Sequence, residues 1–310
     1  MLFRKHWLAG LTLLGSSPLM ANMMIEPPMD VDLVGGITTA TALPGDTLLD
    51  IARQHGIGQE EIILANPAVD RWLPTPGRDV VLPTRYVLPE AKREGIVVNL
   101  PEMRLYYFPK TEDLSDQGQA VVVTHPVSVG RMDWNTPLGT TRVIQKKENP
   151  TWTPPASIKA EHAAEGDPLP DVVPAGPDNP LGLFAMRLAI PGYLIHSTNK
   201  PYGVGMRVTH GCMRMYPEDI EQFFQQVPLN TPVTLVNQPI KAGWYGGALY
   251  LEIHPAMEEE RLPEEELLQK AVEVVKEKID GHEVVVRWSL LRKAVQEKSG
   301  IPIRISAGDI

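Results

Sequence analysis

Cysteine occurs once in this chain, at Cys212, inside the string Thr209-His210-Gly211-Cys212-Met213-Arg214. A single thiol has no partner for an intramolecular disulfide, so it is either a small apolar filler or a group kept for its reactivity. Its neighbours favour reactivity. His210 stands two residues before it, His196 sixteen before it, and Gly211 removes the side chain beside the sulfur. A thiol attacks as thiolate, and a free pKa of about 8.5 leaves it mostly protonated near neutrality. It therefore needs a base or a cation within hydrogen-bond reach, and the two histidines are the candidates. That combination supports nucleophilic attack by an activated thiol. A structural zinc site usually takes four ligands, and only three cluster here, so neither a metal nor another cofactor is expected.

Certain elements must position these groups. Tyr193-Leu194-Ile195-His196 reads as a strand, the Gly-containing stretch 199–205 as a loop, and 206–208 as a hairpin-like return that brings His196 beside Cys212. In extended backbone His210 and Cys212 point to one face. A turn and a helix over 217–226 follow, with Pro217 suited to the first turn and Glu218 and Asp219 to the positive end of its dipole. Backbone N–H groups at Gly211 and Cys212 would then form a hole for a developing oxyanion. Further strands are expected over 94–108 (a hairpin around Leu100-Pro101-Glu102), 119–129, 140–145, 184–189 and 231–236. The Pro-rich stretch 149–179 shows little periodicity and reads as a long loop, usually functional or disordered in a compact domain. His55, His125, His162, His254 and His282 have no motif around them and read as surface or core residues.

The chain has 310 residues, enough for about two domains. Its 30 prolines and 25 glycines point to many turns and a β-rich architecture. A formal charge of −9 argues against broad capture of nucleic acid or anionic lipid. Arg4 and Lys5, the apolar run from Trp7 to Leu14 and a cut after Ala21 form a secretory signal pattern over 1–21, too short for a convincing span. A periplasmic location is expected. Residues 38–84 parse as β-α-α-β, with Thr47 and Asp50 placed for a capping box, Gly56 ending the first helix, and Asn66-Pro67 ending the second. The tail, 237–310, reads as a strand over 248–253 and amphipathic helices over 263–279 and 286–298, an α/β appendage.

Two resemblances follow from these strings. Gly45-Asp46-Thr47-Leu48, Asn66-Pro67 and Pro76-Gly77 before Val80-Val81-Leu82-Pro83 resemble a LysM module, which implies binding of N-acetylglucosamine-containing glycans such as peptidoglycan. I-H-S-T-N-K-P-Y-G-V-G-M-R-V-T-H-G-C-M-R-M (195–215), V-V-N-L-P-E-M-R-L-Y-Y-F-P (97–109), P-V-S-V-G-R, N-T-P-L-G and N-P-T-W-T-P-P-A-S-I resemble the YkuD-type catalytic domain of L,D-transpeptidases over 94–236. The implied fold is mainly β: a β-sandwich catalytic domain with a short helix after the nucleophile, preceded by the βααβ module and followed by the appendage. The resemblance makes Cys212 the nucleophile and His196 the base. His210, Thr209 and Gly211 would shape the nucleophile loop. Arg214 would orient a carboxylate or hold the loop, and the Ser197 carbonyl would fix the imidazole. Trp152 and Tyr202 would line the channel. The implied activity is acyl transfer from peptidoglycan tetrapeptide stems, forming 3–3 cross-links or attaching an outer-membrane lipoprotein to diaminopimelate, with carbapenems as inhibitors. An L,D-carboxypeptidase using water, or a non-catalytic peptidoglycan-binding protein, are the alternatives.

Overall fold

The computed structural model describes residues 23–25, 32–110, 121–132, 134 and 136–307. The expected secretory signal lies outside these residues. Among the described residues no helix is long and apolar enough to cross a membrane.

Strand β1 (Met23–Ile25) is followed by β2 (Leu33–Thr41), α1 (Leu48–Gln54), α2 (Gln59–Ala65) and β3 (Asp79–Val87). The capping box forms as expected: Asp50 N–H donates to Thr47 Oγ1 at 3.1 Å, and Thr47 N–H donates to the Asp50 carboxylate at 3.0 Å. Asn66 explains why α2 stops where it does. Its buried side chain donates to the Ile62 and Val81 carbonyls and accepts from Val81 N–H, tying the helix end to β3. Leu48, Ile51, Ala52, Ile57, Ile62, Val80 and Leu82 make the small core of this unit. The β2–β3 pair runs beyond the strands expected from sequence. Its distal end serves a different core, where Val34, Tyr86 and Leu88 pack with Val97, Tyr106, Phe108 and Val122 of the main sheet.

The main sheet is built from β4 (Gly95–Asn99), β5 (Arg104–Phe108), β6 (Val121–Pro126), β8 (Gly139–Glu148), β9 (Phe184–Leu188), β10 (Leu194–His196), β12 (Met213–Arg214) and β13 (Pro232–Val236). With β1 they form nine strands in the order β1-β6-β5-β4-β13-β8-β9-β10-β12. The sheet curls, so residues from distant strands (Leu105 and Val123, Met186 and Ile195) share one core. Helix α4 (Pro217–Gln226) fills it with Ile220, Phe223 and Phe224. The Phe223 ring meets Tyr107 edge-on at 5.5 Å, a favoured aromatic geometry. Short strands β7 (Val129–Gly130) and β11 (Arg207–Thr209) pair in parallel beside the site.

Two expectations are corrected here. Residues 149–179 are not a plain loop, because α3 (Ala156–Ala164) lies within them. Only Ile158 of that helix is buried, so no apolar periodicity marked it. The return from His196 to Cys212 is also not a hairpin. β10 and β12 run parallel, with Ile195 opposite Met213 and His196 opposite Arg214.

The tail forms β14 (Ile240–Tyr245), β15 (Ala248–Ile253), α5 (Glu264–Lys278), α6 (Trp288–Glu297) and β16 (Ile303–Arg304). Gly246 and Gly247, with φ of +55° and +72°, make the tight turn between β14 and β15. Leu267, Ala271 and Val275 of α5 and Leu291, Ala294 and Val295 of α6 cover this sheet.

Buried charge joins the three units. Lys241 Nζ bonds Glu102 at 2.8 Å, Glu252 at 2.7 Å and the Val87 carbonyl at 2.6 Å. Glu102 also accepts from the Tyr106 hydroxyl, and His254 bonds Glu252 at 2.7 Å. Glu102, Glu252 and His254 are spaced as metal ligands would be, but the ammonium already bridges the two carboxylates. The βααβ unit is clamped onto the loop between β10 and β11. The first-turn N–H groups of α2, Gln59 and Glu60, donate to the Val204 and Gly205 carbonyls at 3.0 and 3.2 Å. Arg104 reaches across to Glu61 at 2.6 Å. At Gly205, φ is +81° and a Cβ would lie 2.4 Å from Gly58 Cα, so this approach requires glycine.

Candidate active site

Alternation on paired strands decides which side chains meet. Ile195 and Met213 face the core and are fully buried. Their neighbours Leu194, His196, Cys212 and Arg214 therefore point to the opposite face. All four line one cavity of about 690 Å³, walled by Trp134, Trp152, Tyr193 and Leu181. Its volume lies in the usual range for small-ligand sites, about 300–1,000 Å³.

His196 is buried, and its Nδ1–H donates to the Ser197 carbonyl at 2.6 Å. That bond leaves the lone pair on Nε2, the tautomer a base requires. Burial, helped by the Arg214 guanidinium, pushes the imidazole down to about 3, against the pull of the Ser197 and Leu181 carbonyls. The ring is neutral at pH 7. Burial also raises the Cys212 thiol, while the Leu194 backbone and Arg214 act in the opposite sense. The Sγ–H points to the Gly192 carbonyl at 3.5 Å. The resting pair is thus a thiol and a neutral imidazole, not an ion pair. Attack by such a thiol would require proton transfer to a neutral base during the step, a role this imidazole is placed to take.

The nucleophile loop is held by its own hydrogen bonds. Thr209 Oγ1 donates to the Cys212 carbonyl at 2.6 Å, and Gly211 N–H donates to Thr209 Oγ1 at 3.2 Å. Thr136 Oγ1 donates to the Gly211 carbonyl at 2.9 Å. The Gly211 N–H expected in the oxyanion hole is therefore engaged, which leaves Cys212 N–H as the donor beside the sulfur. Gly211 has φ +97°, and a Cβ there would lie 2.6 Å from the Tyr193 ring, so the close approach of loop and ring depends on glycine.

His210 does not join His196 at the sulfur. Its Nε2 lies 2.8 Å from Glu161 on α3, and its ring meets Trp134 at 5.0 Å. Arg131 bonds the other Glu161 oxygen. The hydrogen bonds from Arg131 and His210 hold the Glu161 carboxyl down at about 2. Glu161 thus ties α3, which overhangs the cavity, to the nucleophile loop. Glu161→Ala is expected to release that segment. Limited proteolysis should cut faster within 149–183, and acylation of Cys212 should slow about tenfold, the effect of losing roughly 1.4 kcal/mol of positioning.

Of the other expected site residues, Ser197 holds the imidazole and Trp152 lines the cavity. Tyr202 does not: it is 57% exposed on the turn Pro201–Gly203. Glu161, Tyr193, Trp134 and Thr136 were not singled out from sequence. Thr136 belongs to the N-T-P-L-G string and Arg131 to P-V-S-V-G-R, so those strings carried a signal. Glu161 carried none, because its helix was unmarked.

Comparison with known proteins agrees with this geometry. The family model "L,D-transpeptidase catalytic domain" (YkuD) matches residues 93–235. The chain is 39% identical over 284 residues to "Probable L,D-transpeptidase YbiS" of Escherichia coli K12, covering 88% of this chain and 89% of that one. It is 37% identical over 289 residues to "Probable L,D-transpeptidase ErfK/SrfK" of the same organism, covering 91% and 90%. Among solved structures, an L,D-transpeptidase from Mycobacterium smegmatis aligns over 52% of this chain and 63% of that one, at 17% identity and a TM-score of 0.35. With a cysteine and a tautomerically fixed histidine sharing one cavity inside the matched region, and relatives matched along nearly their whole length, the chain belongs to the L,D-transpeptidase family.

Proposed function

We propose that this enzyme acylates itself at Cys212 with peptidoglycan tetrapeptide stems in the periplasm and passes the acyl group to an amine. Cys212 Sγ attacks the carbonyl at the L-centre of diaminopimelate while its proton passes to His196 Nε2. The oxyanion develops beside Cys212 N–H. Collapse breaks the C–N bond to the terminal D-alanine, whose amine takes the proton back from His196, and a thioester remains. An acceptor amine then attacks, gives its proton to His196 and expels the sulfur, which recovers that proton. The acceptor is a second stem, giving a 3–3 cross-link, or a lysine of an outer-membrane lipoprotein. The observation that carries this reading is the shared cavity face of Cys212, His196 and Arg214.

Purified protein incubated with tetrapeptide muropeptides should release D-alanine and form dimers by mass spectrometry. Lipoprotein added as acceptor should give a conjugate if it is the true partner. D-alanine release with no transfer to any amine would replace this reading by a carboxypeptidase using water.

We further infer that the βααβ unit is a LysM-type glycan-binding module. Leu43, Trp72 and Leu73 are large, exposed apolar residues, Trp72 at 62%. They lie on the two loops joined by the Leu48 N–H to Arg71 carbonyl bond at 2.9 Å. An exposed indole suits the apolar face of a sugar ring. Trp72→Ala should weaken co-sedimentation with insoluble peptidoglycan about tenfold, as loss of one aromatic contact of about 1.4 kcal/mol would. Unchanged pelleting would place glycan binding elsewhere.

A further inference from the structure

We propose that a small cavity between the βααβ unit, the main sheet and the tail receives a lysine side chain of a partner polypeptide. The aliphatic stem lies against methionines, and the ammonium meets the Glu60 carboxylate. This cavity shares no lining residue with the one that holds Cys212, and the proposal does not depend on the acyl-transfer reading.

The first support is size and position. The cavity holds about 180 Å³. That is below the usual range for small-molecule sites, about 300–1,000 Å³, and suits one long side chain. Helix α2 contributes Glu60, the turn between β4 and β5 contributes Met103, and the segment after β15 contributes Met257.

The second support is one carboxylate left over. The other charged groups in the wall are paired: Glu61 with Arg104, Glu102 with Lys241, Arg131 with Glu161, Arg207 with Glu259 and Arg261 with Glu258. Glu60 is half-buried, and among the described residues its carboxylate has neither an ion pair nor a hydrogen bond. No other shielded carboxylate is left in this state. Asp32, Glu61, Glu102, Glu161, Asp219 and Glu252 each face a basic side chain within ion-pair distance, and Asp50 sits in the capping box with Thr47. The end of α2 does not account for Glu60 either. Its Gln59 and Glu60 N–H groups donate to the Val204 and Gly205 carbonyls, and Gly58 N–H donates to Glu61, so other acceptors already meet them. Burial holds the Glu60 carboxyl above its ordinary value; Arg207, Arg261 and Arg71 pull it down, Glu258 pushes it up, and burial prevails. The site has room for one more positive charge, and an ammonium supplies it through a charge-assisted hydrogen bond.

The third support is the wall itself. Met103, Met132, Met206 and Met257 all line this cavity. Thioether chains are flexible and polarizable and adapt to an unbranched partner. A lysine buries its methylenes along such a surface while its charged end stays at a polar group. Met103 and Met257 are buried, whereas Met132 is 50% exposed. Met132 therefore offers apolar surface to the residues that flank the lysine, which favours a polypeptide over a free amine.

The test uses the full chain with isotope-labelled methionine methyls, followed by NMR, the four signals being assigned by replacing each methionine in turn with leucine. The probes are acetyl-Gly-Lys-Gly-amide, the same peptide with norleucine for lysine, and n-butylamine. The lysine peptide should shift the four signals saturably, with a Kd in the millimolar range. It should bind about tenfold more tightly than the norleucine peptide, the lower end for a hydrogen bond to a charged group, and more tightly than n-butylamine. Glu60→Gln should remove the preference for lysine over norleucine, and Glu60→Asp, which keeps the charge, should retain part of it. The dispersion of the methionine signals shows that each variant is folded. No saturable shift with the lysine peptide, equal affinity for lysine and norleucine, or a preference that survives in Glu60→Gln would each overturn the proposal. So would n-butylamine binding as tightly as the lysine peptide, which would give the site to free amines. All of these outcomes leave the chemistry at Cys212 untouched.

Discussion

His196→Ala is expected to slow acylation of Cys212 by about 1,000- to 10,000-fold, the upper range for loss of a general base. The pKa directions explain why the effect is so large. Burial keeps the thiol protonated and the imidazole neutral at pH 7, so no standing thiolate survives to attack without the base. Stopped-flow fluorescence or quenched mass spectrometry with a carbapenem would measure the loss. The same picture fixes the pH profile of the wild type. An imidazole at about 3 is in its active, neutral form throughout the range above pH 5. The acid limb of the acylation rate should therefore stay flat down to about pH 4 and fall only as His196 takes up a proton.

Lys241→Met has the largest expected effect on stability. The Lys241 side chain is 2% exposed, and its partners Glu102 and Glu252 are fully buried. Burial alone would raise the Glu102 carboxyl, but Lys241, with His254 and Tyr106, holds it below its ordinary value. Lys241 is raised in turn, its two carboxylates outweighing its own burial. Removing the ammonium leaves two carboxylates in contact without a cation. Breaking a buried pair in this way costs about 3–5 kcal/mol. The βααβ unit, the main sheet and the tail all meet at this cluster, through Val87, Glu102 and Glu252. Urea denaturation should show the loss, and a first unfolding step that separates the units should become visible. In the double variant Lys241→Met, Glu102→Gln, one carboxylate is neutral, and part of the loss should return. A single transition at the wild-type midpoint would show that the cluster is not what joins them.

The chemistry was more legible in the sequence than the frame that holds it. One cysteine, flanked by glycine and preceded by two histidines, narrowed the reaction class. Ser197 was expected to hold the imidazole through its carbonyl, and it does. Elements with strong local signals were also readable: the Thr47–Asp50 capping box, the helix opening at Pro217, and β15 with its alternating apolar residues. What was not legible depends on contacts between distant segments. α3 buries one apolar residue and is anchored by the Glu161 carboxylate, so no periodicity marked it. β14 carries a buried lysine in mid-strand, which reads as a solvent-facing residue until Glu102 and Glu252 are placed around it. The parallel pairing of β10 and β12 could not be read from a loop of glycines. Tyr202 looked like a channel residue by type alone, but its turn faces the βααβ unit.

The central claim is that Cys212 is the acylated atom and His196 its base. Intact-mass spectrometry after incubation with a carbapenem tests it most directly. Opening the four-membered lactam on the sulfur breaks the ring C–N bond and loses no group, so the protein should gain the mass of the whole drug at one site. The adduct should map to the peptide containing Cys212, be absent from Cys212→Ala, and form far more slowly on His196→Ala. A folded wild-type protein that gains no mass, or a Cys212→Ala variant that still does, would contradict the account.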